Sequence, residues 1–220
     1  MFVLNTPAPF KGWLVDLREM PPLERLATLS ASEHERASRF VFERDRRRYL
    51  AAHCGLRQLL AARTGVVASA IEFHEGPFGK PSLTDKRGCA FNMSHSEDVA
   101  LIAMADTGEI GVDVEMLRAM PDAMDLARQN FSASERADLA ATRPEDQALA
   151  FLLGWTRKEA CLKAIGSGLS IAPNIFTAGL GTEPLSVGIP TPQGQATVRV
   201  HSFRHGTHMV CSLAVVEATG

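Results

Sequence analysis

A run near the start of the chain returns near its middle. Ser30-Ala31-Ser32-Glu33 recurs as Ser132-Ala133-Ser134-Glu135. Each is a helix-start signal, because a serine and a glutamate three residues on can cap one another's backbone N–H groups. Upstream, Val15-Asp16-Leu17 recurs as Val112-Asp113-Val114. Each half then runs through a helix, a longer helix, a glycine stop and late apolar strands. That shared order implies a duplicated α+β unit, residues 1–105 followed by 106–220, joined by loops and strands near residue 106. A ligand cleft is expected between the halves.

Taken in order, Gly12–Leu17 reads as a strand, and Pro21 and Pro22 open a helix through Leu29. The basic stretch Arg44-Asp45-Arg46-Arg47-Arg48 leads into a helix from Tyr49 to Arg63, which Gly65 stops. Its arginines read as a solvated helix end or as phosphate ligands. Ile71–His74 reads as a short strand. Gly76-Pro77-Phe78-Gly79-Lys80-Pro81 is a loop, since glycine and proline punctuate it repeatedly. Lys80 on that stiff backbone suits an anionic ligand, with an ordinary exposed turn lysine as the plainer reading. Phe91–Ser96, with Ser94 and His95, precedes the apolar strand Val99–Ala103. In the second half a strand is expected at Ile110–Glu115, a short helix at Asp122–Asn130 and a long one from Pro144 to Ile165. Further strands are expected near Ala196–Phe203 and His208–Val216, about a His205-Gly206-Thr207 turn.

Two stretches carry chemistry. On the strand Ile110–Glu115, Asp113 and Glu115 share one face while Val112 and Val114 share the other. Two carboxylates ~6 Å apart repel by ~3 kcal/mol at an effective dielectric of ~20. A hard divalent cation explains that arrangement, because Mg²⁺ is held by a few carboxylates plus phosphates and water. The other reading is an edge strand with a solvated acidic face. On the helix Gly154–Ile165, Trp155, Leu162 and Ile165 form an apolar stripe, and Glu159 and Lys163 share a face. By itself that pair is a surface ion pair worth ~0.3–0.5 kcal/mol. Beside Asp113 and Glu115, Glu159 becomes a natural third metal ligand. The first half carries Arg18 where the second carries Glu115, so one metal site is expected.

At 220 residues and 45% hydrophobic composition the chain can bury a sizeable core. A net charge of −2 gives no case for nucleic acid. Cys54, Cys89, Cys161 and Cys211 are far apart in sequence and suggest neither a zinc site nor a disulfide framework, so a reducing cytoplasm is expected. No secretory signal is evident at the start, and no apolar run is long enough to span a membrane.

Together Ile110-Gly111-Val112-Asp113-Val114-Glu115 and Trp155-Thr156-Arg157-Lys158-Glu159-Ala160-Cys161-Leu162-Lys163 resemble the double signature of the 4′-phosphopantetheinyl transferases, in the full-length surfactin-synthetase-activator type. The resemblance covers about Trp13 to Val216. It implies two similar α+β halves about a pseudo-twofold axis. It implies transfer of the 4′-phosphopantetheine arm of coenzyme A to a serine of an apo acyl, peptidyl or aryl carrier protein, with adenosine 3′,5′-bisphosphate released. Asp113, Glu115 and Glu159 would hold Mg²⁺, or Mn²⁺, against the pyrophosphate. Glu159 or a metal-bound water would take the serine proton, and Lys163 would meet the phosphates. Lys80, Pro81, Ser94 and His95 match coenzyme-binding segments, Arg48 a base near the adenosine phosphate, and Arg36 a further base there. A monomer without membrane or nucleic-acid partners is expected. The alternative is a catalytically inactive relative that binds coenzyme A or a carrier.

Overall fold

The structure, a computed structural model, describes residues 1–84 and 89–217. The first half runs β1 (Phe2–Leu4), β2 (Lys11–Asp16), α1 (Leu23–Leu26), α2 (Ala31–Ser38) and α3 (Glu43–Thr64). It continues through β3 (Phe73–Glu75), β4 (Pro81–Leu83), β5 (Ala90–Ser96) and β6 (Val99–Ala105). The second half runs β7 (Ile110–Met116), α4 (Ala123–Asn130), α5 (Ala133–Ala141) and α6 (Pro144–Ile165). It closes with β8 (Leu185–Thr191), β9 (Gly194–His205) and β10 (Met209–Val216).

The repeated Ser–Glu signals are capping boxes in both halves. Ser30 and Ser132 accept the N–H of Glu33 and Glu135, and each glutamate accepts the serine N–H in return. Each glutamate then reaches a buried cation on the long helix. Glu33 binds Arg57 at 2.8 Å, and Glu135 binds Lys158 at 2.7 Å. Those cations also donate to carbonyls of the segment after the helix: Arg57 to Ala68 and Ile71, Lys158 to Pro173 and Phe176. One local signal therefore anchors three segments in each half. Both α3 and α6 are 22 residues long and end on a left-handed glycine, Gly65 at φ 75° and Gly166 at φ 74°, a conformation a β-carbon disfavours.

One sheet has the order β1-β2-β6-β5 and the other β7-β10-β9-β8. The antiparallel sets β2-β6-β5 and β7-β10-β9 have matching connectivity. α3 covers one face of the first sheet, with Leu56 and Leu60 clustered with Ile102 and Met104. α6 covers one face of the second, with Ala160 and Ala164 clustered with Val198 and Val200. The opposite faces meet in a shared core of Leu14, Leu101, Val112, Val114 and Leu213. The fold is α+β, with two similar halves about a pseudo-twofold axis.

Several local expectations change. The arginines of 44–48 lie inside α3, which starts at Glu43 rather than Tyr49; Glu43 and Asp45 in its first turn offset the helix dipole. The strand expected at Ile71–His74 is Phe73–Glu75, because Ile71 turns into the core. Pro81 begins a strand instead of ending a loop. Phe91–Ser96 belongs to strand β5, paired along its length with β6. Strand β8 was not expected, since Gly188 and Pro190 obscure its alternation. The acidic side of β7 is not a solvated face: Asp113 is 5% exposed and lies under α6.

Candidate functional site

The site begins with a glycine. A β-carbon on Gly111 would fall 2.1 Å from the Ala160 carbonyl oxygen and 2.2 Å from the Ala164 nitrogen. Only glycine lets α6 come this close to β7. Asp113 and Glu115 alternate with Val112 and Val114, so they share the face of Gly111 and point at the helix turn that carries Glu159 and Lys163.

Lys163 donates to Asp113 Oδ1 at 2.7 Å and to Ser94 Oγ at 3.1 Å. Ser94 also donates to Asp113 Oδ1, at 2.7 Å. Ser96 donates to Glu115 Oε2 at 2.8 Å and accepts the Met116 N–H at 3.2 Å. Burial pushes the Glu159 carboxyl above its ordinary range; Lys163 opposes this, and Asp113 and Glu115 add to it. Burial likewise raises Glu115, with Ser96 opposing and Asp113 reinforcing. Three carboxylates thus feel one another around a single ammonium.

That negative excess, made of hard oxygen donors, fits a divalent cation. Among the described residues no three His, Cys, Asp or Glu side chains are already gathered closely enough to hold a metal. Asp113 is drawn to Lys163 and Glu115 to Ser96. Mg²⁺ does not need a closed protein cage, since it keeps water and takes phosphate oxygens alongside one or two carboxylates. Among the described residues, Asp113 Oδ2, Glu115 Oε1 and the Glu159 carboxylate accept no hydrogen bond and could ligate it.

Ser94 also lines a cleft of about 630 Å³, whose lining residues all come from the first half rather than from both halves as expected. Its walls include Arg36, Tyr49 and His53, Gly79 from the loop before β4, Pro81 at the start of β4, and His95 beside Ser94. The Arg36 guanidinium lies 5.8 Å over the Tyr49 ring. His53 lies against Tyr49, tilted, with ring centroids 4.0 Å apart, and shares a 2.8 Å hydrogen bond with Glu33 through Nδ1; among the described residues its Nε2 has no hydrogen-bond partner. His95 is exposed on β5.

Two bases expected on phosphates are engaged elsewhere. Lys80 donates to the Ala164 carbonyl at 2.9 Å and to Glu109 at 2.7 Å, so its ammonium caps the C-terminal end of α6 while its neighbours line the cleft. Arg48 is held by Asp98 at 2.8 Å and Asp45 at 3.7 Å, which ties α3 to the β5–β6 turn. Sequence reasoning missed Tyr49, His53, Asn92 and Ser96. A polar residue at every second position of 92–96 is the signal that would have found the last two.

Residues 109–210 match the 4′-phosphopantetheinyl transferase superfamily, and residues 21–107 match an N-terminal region described for 4′-phosphopantetheinyl transferase. The chain is 40% identical to the 4′-phosphopantetheinyl transferase HetI of Nostoc sp. over 161 residues, 72% of this chain and 68% of that one. It is 30% identical to a 4′-phosphopantetheinyl transferase of Bacillus subtilis over 178 residues, 81% of this chain and 78% of the other. It is 28% identical to Sfp of Bacillus subtilis over 189 residues, 85% and 83% of the two chains.

Proposed function

Because the chain belongs to the 4′-phosphopantetheinyl transferase superfamily, we propose that it moves the arm of coenzyme A onto a serine of an apo acyl, peptidyl or aryl carrier protein. The observation that carries this reading is the convergence of Asp113, Glu115, Glu159 and Lys163 at Ser94, where the cleft of the first half ends. Residues 1–105 supply the lining of the coenzyme cleft and residues 106–220 the acidic centre.

The serine oxygen attacks the phosphorus that bears the pantetheine arm. A new P–O bond forms, the bond from that phosphorus to the bridging pyrophosphate oxygen breaks, and adenosine 3′,5′-bisphosphate leaves. Asp113, Glu115 and Glu159 would hold Mg²⁺, with Mn²⁺ as substitute. Bound there, the cation would supply Lewis-acid neutralisation of charge developing on the phosphates. Lys163 meets the same charge as it shifts from Asp113 toward a phosphate oxygen. Ser94 and His95 orient the pyrophosphate from β5. Arg36 meets the adenosine phosphate, and Pro81 packs the cleft wall. Glu159 takes the serine proton as general base. Arg48 and Lys80 act by holding the β5–β6 turn and the end of α6.

A net charge of −2 fits a protein without a nucleic-acid partner. No helix among the described residues is long and apolar enough to cross a membrane. The four free cysteines suit a reducing compartment, and we place the protein in the cytoplasm as a monomer. The test is incubation with coenzyme A, Mg²⁺ and a panel of apo carriers, read as the mass gain of the arm on the carrier serine. No gain on any carrier, with Mg²⁺ or Mn²⁺, would sink the reading.

A further inference from the structure

The two sheets are separate ladders, yet β5 at the edge of one lies along β7 at the edge of the other. Side chains replace the missing backbone pairs between them. At every second residue of β5 a polar group crosses the gap. Asn92 Oδ1 accepts the Val112 N–H at 2.9 Å, Ser94 donates to Asp113 at 2.7 Å, and Ser96 donates to Glu115 at 2.8 Å. The alternate residues Phe91 and Met93 pack beneath α3.

Ser96 differs from Ser94 in two ways. Its oxygen also accepts the Met116 N–H, so its own hydrogen is committed to Glu115 Oε2. It does not line the cleft, whereas Ser94 does and also touches Lys163. Among the described residues, Ser96 is the one hydrogen-bond partner of the Glu115 carboxylate. We propose that Ser96 is the positioning residue of the divalent-cation centre, holding Glu115 Oε2 so that Oε1 is presented to the ion. The assignment rests on the reading that Asp113, Glu115 and Glu159 bind that ion. Its logic is that of outer-shell donors generally: a carboxylate with one oxygen held loses fewer rotamers when it ligates a metal, and such partners are worth about 10–100-fold in affinity.

The experiment titrates the full-length protein with Mn²⁺ and follows the free-ion signal by electron paramagnetic resonance. Parallel assays give KM for coenzyme A and the Mg²⁺ concentration at half-maximal kcat. Ser96→Ala is expected to weaken Mn²⁺ binding about 10–100-fold and raise the Mg²⁺ requirement in step, with KM for coenzyme A unchanged at saturating metal. Ser96→Thr, which keeps the hydroxyl, is expected to restore binding. Ser96→Cys keeps the volume with a weaker donor, is expected to share the loss, and serves if the alanine variant does not fold. Mn²⁺ binding at wild-type strength in a folded Ala or Cys variant overturns the role of Ser96. Glu115→Gln separates the two levels: if that variant also binds Mn²⁺ normally, the acidic centre itself is misassigned.

Discussion

Glu33 shows what one buried carboxylate does for this fold. Burial works to raise its pKa, but hydrogen bonds from His53, Arg57 and the Ser30 N–H hold it down at about 2, below the ordinary 4.5. A depressed folded value contributes stability that is present above the unfolded pKa and lost as pH falls through the folded one. The window here is from about 4.5 down to about 2, and the contribution is on the order of 3 kcal/mol. Glu33→Gln is therefore expected to cost that amount at neutral pH, with the gap to wild type narrowing below about pH 4.5. Denaturant unfolding of both proteins across that range checks it, and a gap independent of pH would be inconsistent with an ionised Glu33 anchor. At the proposed centre, Asp113→Ala and Glu159→Ala are each expected to abolish transfer while leaving the melting cooperative. Near wild-type transfer by either one in Mg²⁺ would remove that residue from the centre.

The contact of α6 with β7 decides whether the four site residues meet. A Gly111→Ala substitution has nowhere to put its methyl except by moving α6, because the atoms it meets are helix backbone. Overpacking of this kind costs about 1–3 kcal/mol. Since the displaced turn carries Glu159 and Lys163, kcat is expected to fall by more than KM for coenzyme A rises. A change in KM alone would mean that the approach of α6 does not set the catalytic geometry. The last turn of the same helix is also held by Lys80. Lys80→Met removes the cap on the Ala164 carbonyl and the 2.7 Å pair with Glu109. The expected loss in kcat/KM is the same with coenzyme A and with 3′-dephospho-coenzyme A. A loss that vanishes with the dephospho substrate would instead make Lys80 a direct reader of the 3′-phosphate.

For the molecule as a whole, the shared core keeps two sheets at a fixed distance and leaves the cleft between α3, the loop before β4 and β5. Its outer charges are largely paired locally: Arg44 with Asp45, Arg46 with Glu43, and Arg47 and Arg48 with Asp98. With a net charge of −2 and each arginine of the basic stretch paired with a neighbouring acid, long-range attraction of an acidic carrier is expected to be weak. Docking is expected to rest on apolar contacts and a few charges, with KM for the carrier rising less than about tenfold between low and physiological salt. A hundredfold rise would require an electrostatic docking face on this surface.

The sequence by itself determined the parts whose causes are local. The Ser–Glu pairs read as helix starts because a capping box is complete within four residues. The glycines after the long helices read as stops because a left-handed residue ends a helix wherever it stands. The alternation in 110–115 placed Asp113 and Glu115 on one side of a strand. What lay across from them was not legible, because side-chain partners come from segments distant in sequence. Only the tertiary structure turned the capping glutamates into anchors for Arg57 and Lys158, and gave Gly111 its purpose as the point where α6 touches β7. It also turned Lys80 and Arg48 from free bases on a loop and a helix start into clamps on α6 and the β5–β6 turn. A charge read along the chain carries its sign but not its partner. Burial and distance choose the partner, and these exist only once the two halves have packed.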